Sequence, residues 1–182
     1  MGYMIDTVPF NLPVFTHIVP EYKQLNKYLK QCIKDYRKSF PQSNTSNVQA
    51  WHSGYQTHAN TNAFDPLIDI ALDKCYCISR DSFNAPIVKP YYFVLNNMWI
   101  AMYQKNDWTK LHAHFPSVFS LCYYVDVKDD CSPIIFGEND ELSIQPKNGM
   151  MIIWLGLLPH KVLPTKGKRT CICMNISMNM LT

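Results

Sequence analysis

The sequence predicts an α+β domain, mainly β, in which N-terminal helices pack on one face of an antiparallel sandwich or barrel. Three observations carry this. In the first half of the chain the apolar residues repeat with a helical period. From about Val88 they alternate instead, in short runs separated by turn residues. Helices first and strands later are segregated elements, unlike the βα alternation of a parallel sheet. With 182 residues and a hydrophobic content of 47%, the chain suits a single domain with a substantial core. Residues 1–85 form a mainly helical support and residues 86–182 a β core.

The first helix runs from Glu21 to Arg37. Tyr22, Leu25, Tyr28, Leu29, Cys32, Ile33 and Tyr36 make the i, i+3, i+4, i+7 stripe of an amphipathic helix, and lysines occupy the other, solvated face. Pro20 suits its start. Phe40 to Ser46, rich in Ser, Asn and Thr, reads as a loop. A second helix starts near Asn62 and continues through Phe64, Leu67, Ile68, Ala71 and Leu72, with Pro66 tolerated only in its first turn.

The strands follow. Tyr91, Phe93, Trp99, Ala101 and Tyr103 alternate along the first. Further runs are Phe119 to Val127, Pro133 to Phe136, Gly149 to Leu155, His160 to Leu163 and Arg169 to Ser177. Turn signals separate them at Lys105-Asn106-Asp107, Asp129-Asp130, Gly137 to Asp140, Lys147-Asn148-Gly149 and Lys166-Gly167. Tyr123 and Tyr124 must point to opposite faces of their strand. Trp99, Trp108 and Trp154 are expected in the core, as are Cys171 and Cys173, which share a face. His17, His52 and His58 read as structural or surface residues.

Composition excludes several classes. The net charge of +3 is spread along the chain, without the clustered basic footprint of a nucleic-acid binder. Nucleic acid is not favoured as a partner, whereas an anionic small molecule is helped by a mild positive excess. No apolar run reaches the roughly 18 residues that span a bilayer; the longest, Met150 to Leu158, stops at Pro159. Met1 to Pro13 lacks a basic start followed by an apolar segment. Seven cysteines, spaced i, i+2 at Cys75/Cys77 and Cys171/Cys173, do not match a zinc knuckle. They read as reduced thiols in a cytoplasmic protein.

The chemistry concentrates in Trp108-Thr109-Lys110-Leu111-His112-Ala113-His114-Phe115-Pro116. On a strand, His112 and His114 point to one face; on a helix they would diverge by about 200°. Neighbouring imidazoles on one face suit a metal, since neutral His ligates Fe, Zn, Cu and Ni. Two buried or surface histidines would leave the same pattern. His160 follows at the start of a later run. Arg169 leads the last one, with His160 and Arg169 expected on neighbouring antiparallel strands joined by the Thr165 to Lys168 turn.

The ordered set His112-x-His114, His160, Arg169 resembles the iron(II)/2-oxoglutarate-dependent oxygenases. Flanking segments resemble a phage and marine-bacterial His-x-His-Pro branch: Ser46-Asn47-x-x-Ala50-Trp51-His52-Ser53, His112-x-His114-x-Pro116-Ser117, Ser120-x-x-Tyr123-Tyr124, Ile134-Ile135-Phe136, Pro146-Lys147-Asn148-Gly149 and Arg169 to Asn175. The resemblance spans about residues 43 to 178.

It implies a double-stranded β-helix, a jelly-roll or cupin-like barrel, around Fe(II), with 2-oxoglutarate and O₂ as cosubstrates. The implied reaction is hydroxylation, with release of succinate and CO₂. Three protein ligands leave three positions on an octahedral ion. The implied ligands are His112, His114 and His160. A buried distal carboxylate needs a permanently charged, forked donor, a role that falls to Arg169, with Tyr103, Tyr124 and Thr170 (or Cys171) beside it. The family's second ligand is usually a carboxylate, so Asp107 and Glu138 stand as alternatives to His114. The expected substrate is a small molecule or a polypeptide, selected by loops at Asn84 to Lys89 and Gly137 to Leu142, in the cytoplasm or, for a phage protein, the host cytoplasm. Two other readings compete: a cupin-like three-His enzyme that does not use 2-oxoglutarate, such as a thiol dioxygenase, and a non-catalytic jelly-roll binding protein.

Overall fold

A computed structural model describes residues 12–44, 46–85 and 90–181. The proposed substrate-selecting segment therefore lies partly outside the described residues, at 86–89, as does most of the N-terminal segment. The described residues open with strand β1 (Val14–Ile18) and helix α1 (Tyr22–Ser39). Two short strands, β2 (Val48–Gln49) and β3 (Trp51–His52), lead into a short helix α2 (Thr57–Asn60), a 3₁₀ turn (Asn62–Phe64) and helix α3 (Asp65–Phe83). Eight strands complete it: β4 (Tyr91–Tyr103), β5 (Trp108–His112), β6 (Phe119–Val127), β7 (Ile134–Phe136), β8 (Leu142–Ile144), β9 (Met150–Leu155), β10 (His160–Val162) and β11 (Arg169–Met180).

The strands form two antiparallel sheets, a six-stranded one in the order β1-β9-β6-β11-β4-β3 and a five-stranded one in the order β2-β5-β10-β7-β8. This is the expected double-stranded β-helix with helices on one face. Alternation along each strand of the larger sheet sends side chains into two cores. Tyr123, Ile172, Met174 and Ile176 pack outward with Leu29, Ile33, Leu67 and Ala71 of the helices. Tyr124, Cys122, Cys171 and Trp154 pack inward, between the sheets. The Tyr123-Tyr124 pair splits across the sheet as its period requires.

One polar peg fixes α1 to the sheet. Asn26 is buried, and its Nδ2 donates to the Val125 carbonyl at 2.9 Å while Tyr123 Oη donates to its Oδ1 at 2.6 Å. Arg37 and Lys38 in the last turn of α1 favour its carbonyl end. Pro66 sits in the first turn of α3, and Asn84 ends that helix in the left-handed region, φ 50°.

The fold departs from the sequence expectation in three places. Short edge elements appear that periodicity does not reveal: β1, β2, β3, β8 and α2, each of at most five residues. Helix α3 begins at Asp65 after a 3₁₀ turn, rather than at Asn62, and it extends to Phe83. Most consequentially, His160 and Arg169 are not on neighbouring strands. β10 pairs with β5 and β7, whereas β11 pairs with β4 and β6. The segment between them does not fold back as a hairpin. It crosses from one sheet to the other, held by Asn106 N donating to the Thr165 carbonyl at 2.7 Å and Thr165 N donating to the Asp107 carbonyl at 2.9 Å.

Candidate metal centre

The crossover places His160 and Arg169 on facing sheets, so that they look into the same inter-sheet cavity from opposite sides. His112 closes β5 and His160 opens β10, directly across the ladder from it. His114 lies two residues beyond the end of β5 rather than on a strand. Its loop is fixed by His114 N donating to the Gly156 carbonyl at 2.6 Å. Gly156 is needed there, because a Cβ would run into the Ser117 carbonyl. Ring centroids are 4.3 Å apart for His112 and His160, 4.8 Å for His112 and His114, and 5.0 Å for His114 and His160. One nitrogen from each ring falls within 4.8 Å of the other two.

The outer nitrogens are held by the protein. Nδ1 of His112 donates to the Lys110 carbonyl at 2.8 Å, and Nδ1 of His160 to the Leu158 carbonyl at 3.3 Å. That leaves each Nε2 lone pair for a ligand. The amide of Asn175 lies 3.4 Å from Nδ1 of His114, and Asn175 is itself held by Ser120 Oγ at 2.8 Å. Burial, with some compensation from the Lys110 carbonyl, keeps His112 below its ordinary pKa. Burial and the neighbouring His112 push His114 down to about 3. Burial and both neighbours hold His160 well below the ordinary value. All three rings are thus neutral near pH 7, which is the ligating form. Trp154 stands edge-on to His160 at 4.7 Å, and Trp99 is 5.6 Å from His114. A first-row cation fits this donor set: bonds of about 2.1 Å need cis nitrogens about 3 Å apart, a small closure of rings that already converge.

Arg169 is 3% exposed, with its Cζ 4.2 Å over the Tyr103 ring and 5.8 Å from the Tyr124 ring. One Nη donates to the Ser132 carbonyl at 3.1 Å, but Nε has no partner and neither does the buried Tyr124 hydroxyl. Tyr103 Oη shares a 2.6 Å hydrogen bond with Thr109 Oγ1. Among the described residues no carboxylate pairs with Arg169. A buried cation without a counter-charge, beside an unpartnered hydroxyl, could take an anion.

Of the remaining sequence candidates, Cys171, the alternative to Thr170, lines this cavity, and the others do not. Thr170 faces the opposite side of β11, lining a groove with Lys30 and Arg37 of α1, as strand alternation from Arg169 dictates. Asp107 caps a turn, accepting from Gln104 N at 2.7 Å. Glu138 is exposed. Neither carboxylate joins the histidine group. Sequence reading missed Asn175, Ser132 and the aromatic wall of Trp154. Asn175 sits six residues after Arg169 on the same face, a spacing that marks it once β11 is known to be continuous. A cleft beside the triad, lined by Asn47, His52, Tyr55, Trp99 and Phe115, opens to solvent, where Phe115 is 83% exposed. His52, read as structural, is buried, stacked on Trp99 at 5.9 Å, and its Nε2 lacks a partner.

No protein-family model matches the chain, and no curated protein does. Solved structures do. A Pseudomonas putida prolyl-4-hydroxylase superposes with a TM-score of 0.63 at 15% identity, covering 91% of this chain and 93% of its own. The viral collagen prolyl hydroxylase of Paramecium bursaria Chlorella virus-1, solved with 2-oxoglutarate, gives 0.62 at 14% identity, with 90% and 94% covered. HygX from Streptomyces hygroscopicus, with nickel and 2-oxoglutarate bound, gives 0.62 at 10% identity, with 91% and 82% covered. The chain therefore has the fold of the 2-oxoglutarate–Fe(II) oxygenases. The phage and marine-bacterial branch is not singled out by these neighbours.

Proposed function

We propose that this protein is an Fe(II)- and 2-oxoglutarate-dependent dioxygenase that hydroxylates a small molecule or a polypeptide, releasing succinate and CO₂. The observation that carries the reading is the pairing, in one cavity, of three converging neutral imidazoles with a buried guanidinium that has no carboxylate partner. His112, His114 and His160 hold the metal, and three of six positions stay open. Arg169 takes the distal carboxylate of 2-oxoglutarate, its free Nε and the free Tyr124 hydroxyl supplying donors and Tyr103 carrying the guanidinium on its ring. Bound together, the metal and cosubstrate supply oxygen activation. Trp154 and Trp99 exclude water around the imidazoles, and the open cleft at Tyr55, Trp99 and Phe115 receives the substrate. A three-His set brings no negative charge to the ion, so bound iron is a stronger Lewis acid than it would be with a carboxylate ligand. The likeness to the viral collagen prolyl hydroxylase, and to a Trichoplax adhaerens prolyl hydroxylase solved with a peptide fragment, supports a polypeptide as one of the two substrate classes.

The test is spectroscopic. Under argon, Fe(II) with 2-oxoglutarate gives a weak visible charge-transfer band that Arg169→Met removes, and air then yields succinate. Iron binding without the band, and O₂ uptake indifferent to Arg169→Met, would instead identify a three-His oxygenase that does not use 2-oxoglutarate. An absence of metal binding would leave a jelly-roll binding protein.

A further inference from the structure

The inner face of β11 reads, at every second residue, Arg169, Cys171, Cys173 and Asn175. Asn175 touches His114 and Arg169 is the buried cation, so Cys171 and Cys173 occupy the stretch of strand between the two. A third thiol comes from the adjacent strand. Cys122 of β6 lies directly opposite Cys173 in the ladder, and their sulfurs are 3.7 Å apart. The Sγ atoms of Cys122, Cys171 and Cys173 all fall within 4.8 Å of one another, and none is in a disulfide. All three line the cavity that holds the histidine triad and Arg169.

We propose that Cys122, Cys171 and Cys173 form a second metal site, separate from the histidines, for a soft divalent cation of the Zn(II) or Cd(II) class. Size, ligand type and charge each support it. An ion with Zn–S bonds of about 2.3 Å in tetrahedral geometry places its sulfurs about 3.8 Å apart, close to the 3.7 Å between Cys122 and Cys173. Thiolates select soft cations over the hard ones that prefer oxygen, and no carboxylate enters the cluster. Binding releases the three thiol protons to solvent. A divalent ion with three thiolates carries one net negative charge. Arg169, on the same strand face, supplies the balancing positive charge. The site lies on the path between the imidazoles and Arg169, so its occupancy excludes a dicarboxylate bridging them. That last consequence rests on the 2-oxoglutarate reading; the thiolate site itself does not.

The probe is Cd(II) alone, titrated anaerobically into the reduced full chain. One equivalent should raise a sulfur-to-cadmium ultraviolet charge-transfer band and a ¹¹³Cd resonance in the sulfur-rich range. Both should persist in His112→Ala and in Cys32→Ala, a half-buried thiol on α1. Both should vanish in Cys173→Ala, with Cys171→Ala as the second variant and circular dichroism confirming that each is folded. A wild-type protein without the band, a band that survives in both cysteine variants, or one that disappears with His112→Ala would overturn the proposal. The Fe(II) band at the histidines is read separately, so failure of the thiolate site and failure of the oxygenase reading are distinguishable.

Discussion

His160 lies directly opposite His112 in the ladder between β10 and β5, with the two rings 4.3 Å apart. The convergence of these two imidazoles is therefore set by strand register. A one-residue slip of β10 would turn His160 to the outer face of its sheet. The third ring, His114, depends instead on a loop tied to Gly156.

His160→Ala is expected to lower Co(II) or Fe(II) affinity by at least about tenfold, the scale on which even supporting residues of metal sites act. Calorimetric titration of the metal-free protein measures this. Unchanged affinity would remove His160 from the ligand set.

Gly156→Ala should act on the same site from a distance. The added Cβ meets the Ser117 carbonyl and displaces the loop that carries His114. Metal affinity should fall while the far-ultraviolet dichroism stays unchanged. A variant with wild-type affinity would show that the loop yields without moving the ring.

Arg169→Met should stabilise the ligand-free protein, by about 1–3 kcal/mol, because it replaces a buried, uncompensated cation with a packed apolar chain. The wild type, and not the variant, should then gain stability on adding 2-oxoglutarate, roughly 2.7 kcal/mol at one hundred times its Kd. Urea midpoints with and without the diacid check both halves. A destabilised variant would mean that Arg169 already has its counter-charge.

The metal-free protein should lose stability as pH falls. Folding depresses the pKa values of His112, His114 and His160 and also of His52, in each case mainly through burial. The unfolded chain therefore binds more protons in the window below the ordinary value of about 6.5. Stability from these groups is complete above that value and declines through the acid range, reaching about pH 3 for His114. Denaturant midpoints at pH 7.5 and 5.0 should differ in that direction, and His114→Gln should shrink the difference. A flat profile would contradict the burial of these rings.

Asn26→Leu should cost about 1–3 kcal/mol, since it strands the Tyr123 hydroxyl and the Val125 carbonyl in the outer core. Metal affinity should not change, because Asn26 lies on the far side of the larger sheet from the histidines. Thermal melting with a parallel metal titration separates the two effects.

The helices and long strands are legible in the sequence because their apolar periods are long enough to be counted. Leu25, Leu29 and Ile33 on α1 and the alternation across Tyr91 to Tyr103 are examples. Edge strands such as Val48–Gln49 and Leu142–Ile144 are set by the neighbour they pair with, and no local pattern announces them. The same holds within the site. His112, His114, His160 and Arg169 are visible as residue types in order, but the sheet assignment of His160 is decided by the crossover at Thr165. Adjacency in the sequence suggests Thr170 beside Arg169, whereas the period of the strand sends it to the helix side. Cys122 has no sequence relation to Cys173. Only the register of β6 against β11 makes them neighbours.

Because Arg169 and Asn175 stand on one face of β11, the separation between the buried guanidinium and the imidazole cluster is built into that strand's backbone. Six residues of pleated backbone span about 20 Å between Cα atoms, and β4 and β6 pair with that stretch from either side. The two groups are held apart by a paired strand rather than by a loop, so their spacing is set before any ligand arrives.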